Sequence, residues 1–293
     1  MATKTQSHQY FVPTPSLYPF ILSTGLLALA SGFIFNINHY PAGKWMMLLG
    51  VAVILTMVFR WFGKVIAENQ GGMYKSWEDK SFRWGMIVFI CSEVAFFAAF
   101  FGALFYVRII SVPELAGFDP QFTLYKDFLG TWPSAGPGGI VLGQEYKTAQ
   151  FTPMGAWGIP AINTLILLSS GVTVTWAHWG LLDNNRKQLI IGLGLTILLG
   201  ITFLVLQAYE YHHAYTELGL TLGAGAYGGT FFMLTGFHGF HVTLGTIMLI
   251  VIWLRSIKGH FDSEHHFGFE GVAWYWHFVD VVWLGLFVFV YWL

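Results

Sequence analysis

Five side chains inside otherwise apolar stretches could move protons or bind metal: Glu93, His238, His241, His277 and Asp280. Glu93 lies ten residues past Arg83, in an apolar segment reading MIVFICSEVAFF. On a helix that places its carboxyl about 15 Å into a membrane span. A charged carboxylate there costs at least about 2.5–3.5 kcal/mol unless it is protonated or paired. With no cation in view, Glu93 is expected to carry its proton. It then serves either as a neutral acid bonding a helix neighbour or as an element of a proton or lipid site.

His238 with His241, and His277 with Asp280, are each spaced i,i+3, so each pair shares one face of its helix. Such pairs enter carboxylate-rich metal bundles, but only Glu93 and Asp280 could supply the acids. A haem held by two histidines would need them on opposing helices around one cavity. The spacing specifies neither site, so no metal is assigned. Interhelical hydrogen bonding is the reading taken for all four residues. Trp274, Tyr275, Trp276, Trp283 and Trp292 read as an aromatic belt at the two membrane interfaces. Gly25, Gly32, Gly192, Gly194 and Gly200 read as sites of close helix packing. Near the inner face, Glu68, Arg255, Lys258, His260, His265 and His266 form either a solvated rim or an anionic lipid head-group site.

The elements that must position these groups follow from composition. Of 293 residues 55% are hydrophobic and only 10% charged, too few to cover a water-soluble domain. The net charge of −1 gives no basic surface for nucleic acid. A single cysteine, Cys91, excludes a disulfide framework and any paired-thiolate site. Seven apolar runs are long enough to cross a bilayer: 18–37, 43–62, 82–110, 157–182, 189–209, 228–254 and 272–293. The polar N-terminal tail lacks the pattern of a cleaved signal, so the first run is expected to remain.

Lys and Arg number ten on the side holding the N-terminus and the loops after spans two, four and six. Four lie on the other side, accounting for all 14. This bias predicts the N-terminus inside and the C-terminus outside. The expected organisation is a tail with two helices (1–66), an inner loop (67–81) and a five-helix bundle (82–293). The bundle carries a Gly- and Pro-rich outer loop at 111–156, expected to be ordered and mostly non-helical. No internal repeat of solenoid or transporter type is visible.

The C-terminal third carries a more specific signal. TGFHGFHV at 235–242, HHFGFE at 265–270 and WYWHFVDVVW at 274–283 closely resemble subunit III of the haem–copper cytochrome c oxidases. Further matches include LQAYEY at 206–211, TWAH at 175–178, RWGM at 83–86 and SEV at 92–94. Related quinol-oxidase subunits typically have five helices, so seven spans favour the cytochrome c branch.

The resemblance implies an all-α membrane protein with seven helices divided two plus five around a V-shaped, phospholipid-filled cleft. It implies a non-redox subunit packed on subunit I, with subunit II in the same complex and cytochrome c an indirect partner. Haem a, haem a3 and copper would lie in those partner subunits, and structural phospholipids would be the only ligands here. Its implied role is to support proton uptake by subunit I and to protect it from inactivation. The family's buried glutamate falls on Glu93, and its inner-face lipid contacts fall on Trp61, Glu68, Arg255, Lys258 and His265. Ala67 and Met73 depart from the arginine and histidine common in relatives. The outer loop at 117–151 is longer than in compact mitochondrial forms. That points to a bacterial cytoplasmic membrane rather than a mitochondrial inner membrane. The competing reading is a stand-alone proton or ion transporter with Glu93 and Asp280 in its path.

Overall fold

The computed structural model describes residues 14–117, 125, 128–137, 139–141, 144–146 and 148–293. Residues 1–13 of the tail, with Lys4, lie outside them, as do parts of the outer loop with Lys126 and Lys147.

In hydrocarbon every backbone N–H and C=O must find its partner within the chain, so an apolar run of this length folds as helix. Seven helices long and apolar enough to cross a membrane result. They are α1 (Tyr18–Ile37), α2 (Ala42–Gln70), α3 (Ser76–Leu115), α4 (Ile159–Leu182), α5 (Arg186–Thr216), α6 (Gly225–Lys258) and α7 (Phe267–Trp292). α3 and α7 each contain a π-helical stretch, Tyr106–Ser111 and Phe287–Trp292.

Most helices outrun the apolar segments that nucleate them, because polar helix formers such as Glu68 and Arg186 extend the hydrogen-bonded ladder into water. The largest shift concerns the inner loop expected at 67–81. α2 continues to Gln70 and α3 starts at Ser76, leaving five non-helical residues. Gly72 takes φ +69 at this break, and the Glu78 carboxylate accepts from the Lys75 amide at 2.9 Å, capping the start of α3. Likewise α3 passes beyond Ile110 to Leu115.

The chain forms two compact units, Met1–Phe82 and Arg83–Leu293. In the first, α1 and α2 pack through glycines seven residues apart on each helix. A Cβ at Gly32 would lie 2.6 Å from the Met47 nitrogen, and one at Gly50 would lie 2.7 Å from the Leu29 nitrogen. Only glycine admits so close an approach. In the second unit, α3–α7 surround a core led by Trp276, Trp283, Phe203, Phe231 and Phe269. The outer loop holds the only strands among the described residues, β1 (Gly139–Val141) and β2 (Gln144–Tyr146), paired antiparallel. It is pinned to α6 by the Tyr227 amide donating to the Ser134 carbonyl (2.9 Å) and by Phe151 stacked on Tyr227.

Candidate functional site

Tyr275, Trp276 and Trp283 are 2%, 0% and 0% exposed, so they are core residues rather than a belt. Trp276 donates its indole N–H to Ser170 Oγ (2.8 Å), and Trp283 donates to Thr164 Oγ1 (2.9 Å). A Cβ at Gly200 or at Gly245 would come within 2.9 Å of the Trp276 ring, so these glycines on α5 and α6 make its slot. The polar residues of α6 and α7 are arranged around this indole framework.

Glu93 on α3 faces His241 on α6, with Oε2 2.9 Å from Nε2. His241 Nδ1 lies 2.6 Å from the Phe237 carbonyl, which only accepts, so Nδ1 carries a hydrogen. One further proton then completes the Glu93–His241 bond. It sits either on the acid, facing a neutral imidazole, or on the imidazole, facing a carboxylate. The rings of Phe96, Phe97 and Tyr275 enclose the pair. The membrane-depth acid expected from the sequence thus bonds a neighbouring helix, as half of a pair with His241.

His238 is fully buried and donates Nε2–H to the Val279 carbonyl at 3.2 Å, tying α6 to α7. Thr175 on α4 gives its hydroxyl hydrogen to the Gly171 carbonyl, so it accepts from His277 Nε2 at 3.2 Å. The other His277 nitrogen lies 3.7 Å from the Asp280 carboxylate. A Cβ on Gly171 would lie 2.5 Å from Asp280 Oδ2, so this glycine makes room for the acid between α4 and α7. With both nitrogens of His241 and both of His277 engaged, these side chains are spent on helix contacts. Among the described residues no group of three or more His, Cys, Asp or Glu could hold a metal.

The inner-rim residues fall in the two units. In the first, Trp61 is exposed and stacks on Phe62, while Glu68 pairs with Lys64 (3.8 Å) and accepts from Tyr74 Oη (2.6 Å). Burial and that carboxylate push the Tyr74 hydroxyl above its usual range. In the second, the Arg255 guanidinium lies 4.4 Å over the Phe261 ring, and Lys258 is exposed one turn further on. His265 is exposed and lies 3.5 Å from Asp262. Burial, with Arg255 and Lys258 adding to it, pushes His260 down, leaving it neutral at pH 7. Burial would raise the Asp262 carboxyl, but the donating amides of His265 and Glu264 outweigh it and hold the acid below its usual range.

Besides Glu78, which caps α3, the buried or partly buried acids Glu210 and Glu270 were not read as sites from the sequence. Glu210 on α5 is 0% exposed and accepts from Tyr291 Oη at 2.6 Å. It lies one residue past the apolar run that ends at 209, and the helix continues to Thr216 and keeps Glu210 inside. Glu270 pairs with Arg83, joining α7 to α3, and Arg83 also lies 5.7 Å over the Phe267 ring. The signal available was the pair of charged residues at the inner ends of two spans.

Seven spans with a dense polar and aromatic seam in the second unit define a polytopic helical membrane protein, an integral part of the bilayer. The model of the family described as cytochrome c oxidase subunit III matches residues 8–128 and 123–293. The chain is 41% identical over 290 residues to cytochrome c oxidase subunit 3 of Osphranter robustus, and 42% identical over 288 residues to that of Formosania lacustris. It is 40% identical over 288 residues to that of Dugong dugon. Each comparison covers 98% of this chain and 98% of the relative. The chain belongs to the cytochrome c oxidase subunit III family. It is thereby a subunit of the oxygen-reducing, proton-pumping oxidase of the respiratory chain.

Proposed function

We propose that this chain is the non-redox brace of an aa3-type oxidase, holding phospholipids at its inner rim, steadying subunit I and supporting its proton uptake. The observation that carries the lipid role is the last turn of α6. Arg255 and Lys258 sit there without a carboxylate partner among the described residues, beside a neutral His260. Two cations at head-group depth suit an anionic phosphate, each adding about 1 kcal/mol of attraction to such a surface. His265 is the further contact proposed in this unit, and Trp61 and Glu68 are proposed as lipid contacts of the first unit by itself. The haem and copper chemistry belongs to partner subunits, with cytochrome c and subunit II on the electron-entry side.

The Lys and Arg bias supports an N-terminus in the cytoplasm and a C-terminus outside, and the length of the outer loop supports a bacterial membrane. Glu93 lies in the inner leaflet half of α3 under this orientation, on the side from which protons enter. Its shared proton with His241 supports a supply role rather than a conducting one.

Native mass measurement of the whole oxidase tests the lipid reading. The complex carrying Arg255→Gln and Lys258→Gln is expected to retain fewer phospholipids and to inactivate sooner in turnover. Unchanged lipid retention refutes the rim site. For the proton role, Glu93→Gln keeps a hydrogen-bonding group but removes the movable proton. An unchanged turnover lifetime and proton stoichiometry in that variant would confine Glu93 to packing.

A further inference from the structure

Gln207, Glu210, His213 and Glu217 recur at i,i+3 or i,i+4 along α5, so they form one polar column about 15 Å long. One end of the column is in water. Glu217, just past the helix, is 67% exposed and lies 3.2 Å from His213 Nδ1, and the His213 ring is 33% exposed. The other end is sealed. Glu210 is fully buried, and Gln207 is buried with its amide N–H donated to the Thr235 carbonyl at 3.0 Å. Beyond Gln207 the same face of α5 continues as Phe203 and Leu204, so the column stops there.

Within this enclosure Glu210 is only half satisfied. Oε1 accepts from Tyr291 Oη, in the π-helical stretch of α7, whereas Oε2 is buried with no hydrogen-bond partner among the described residues. The titratable groups facing it are His213 and Tyr211 on α5, Tyr227 on α6 and Tyr291 on α7. Tyr211 gives its hydroxyl hydrogen to Thr235, which gives its own to the Phe231 carbonyl. No lysine or arginine is among these groups, and an enclosed carboxylate without a cation is costly. A proton on Oε2 removes that cost. Of the groups present, only the imidazole of His213 is of a type that exchanges protons readily near neutral pH. Three residues apart on a helix, the two Cβ atoms are about 5–6 Å from each other, a gap that the two side chains span.

We propose that Glu210 is a proton-exchange site, loaded and emptied through His213 from the water at the α5–α6 connection. In release, the Oε2–H bond breaks as a bond to His213 Nε2 forms, and the Nδ1 hydrogen leaves to Glu217 or to water. Nε2 is free for this, having no hydrogen-bond partner among the described residues. The Glu217 carboxylate steadies the transient imidazolium. A half-turn of the ring then offers its other nitrogen inward, and loading runs the steps in reverse. Phe203 and Leu204 make the site a dead end rather than a path across the membrane. Its occupancy sets the tie between α5 and α7, because the Tyr291 hydroxyl bonds a carboxylate about twice as strongly as a neutral acid. The site shares no residue with the lipid rim or with the Glu93–His241 pair.

Infrared difference spectra of the intact oxidase, transferred from water to deuterium oxide, test this. Exchange of the carboxyl hydrogen shifts its C=O stretch to lower frequency. The Glu210 band is the one that disappears in Glu210→Gln, and Tyr291→Phe, which shifts it, assigns it where Glu210→Gln fails to assemble. Its exchange is expected to slow by about a hundredfold in His213→Ala. Imidazole added to His213→Ala should restore the rate, while His212→Ala, which replaces an exposed neighbour outside the column, should exchange as the parent does. Absence of a band assignable to Glu210 by either variant overturns the proposal, as does exchange in His213→Ala at the parent's rate. A slowed rate that imidazole fails to restore gives His213 a packing role and overturns the relay.

Discussion

Replacing His241 by leucine removes the only partner of the Glu93 carboxyl among the described residues and leaves the acid in a ring of aromatic side chains. An unpaired buried polar group costs about 1–3 kcal/mol, and the exposed part of this carboxyl meets no bulk water at that depth. Glu93→Gln behaves differently. Nδ1–H stays on the Phe237 carbonyl, so Nε2 accepts from the new amide, and stability should stay within about 0.5 kcal/mol of the parent. Replacing both partners removes the orphan as well as the bond, and paired apolar replacement is close to neutral. The double variant Glu93→Leu, His241→Leu should therefore be more stable than His241→Leu alone. Heat-induced loss of folded protein in the detergent-purified complex reads all four. A double variant no better than His241→Leu, or a Glu93→Gln variant as unstable as it, refutes the pairing argument.

Gly245→Val pushes two methyl groups into the Trp276 ring, and overpacking of this kind costs about 1–3 kcal/mol; thermal unfolding should show the loss, and Trp276→Leu in the same chain should recover part of it. Arg83→Glu should destabilise the second unit by placing two acids together, and adding Glu270→Arg should restore most of the loss, read by the same thermal assay. The Asp262 carboxyl titrates below its unfolded value, so its contribution is present above that value and fades as pH falls through the lower, folded one; amide hydrogen exchange at Glu264 and His265 should quicken only in that acid range. His260 has the opposite chemistry with the same direction: its neutral form is favoured, so acidification below its ordinary range charges it beside Arg255 and Lys258 and should loosen the α6 terminus, visible by exchange at Gly259 and His260.

The seven spans were legible because hydrocarbon imposes one rule on every residue in it, and an apolar run of about 20 residues obeys only one way. Helix ends were less legible, since water outside the membrane does not stop a helix; Gly72 and the Glu78 cap do. His238 and His241 could be placed on one face, but spacing does not reveal that His241 meets Glu93, 148 residues away in sequence. Aromatic residues misled for a related reason. Trp276 and Trp283 look like interfacial anchors until Gly200, Gly245, Ser170 and Thr164, on three other helices, supply space and hydrogen-bond acceptors for them.

The Glu93–His241 pair has an electrical consequence. With Nδ1–H fixed, either placement of the shared proton leaves the pair with no net charge. A shift between them moves one charge by no more than the 2.9 Å that separates the heavy atoms, about a tenth of the hydrocarbon thickness. A membrane potential does about 2.3 kcal/mol of work per 100 mV on a charge that crosses fully, so it biases this shift by no more than about 0.2 kcal/mol per 100 mV. At 100 mV the ratio of the two proton placements in the pair therefore changes by less than about twofold between a resting and an energised membrane.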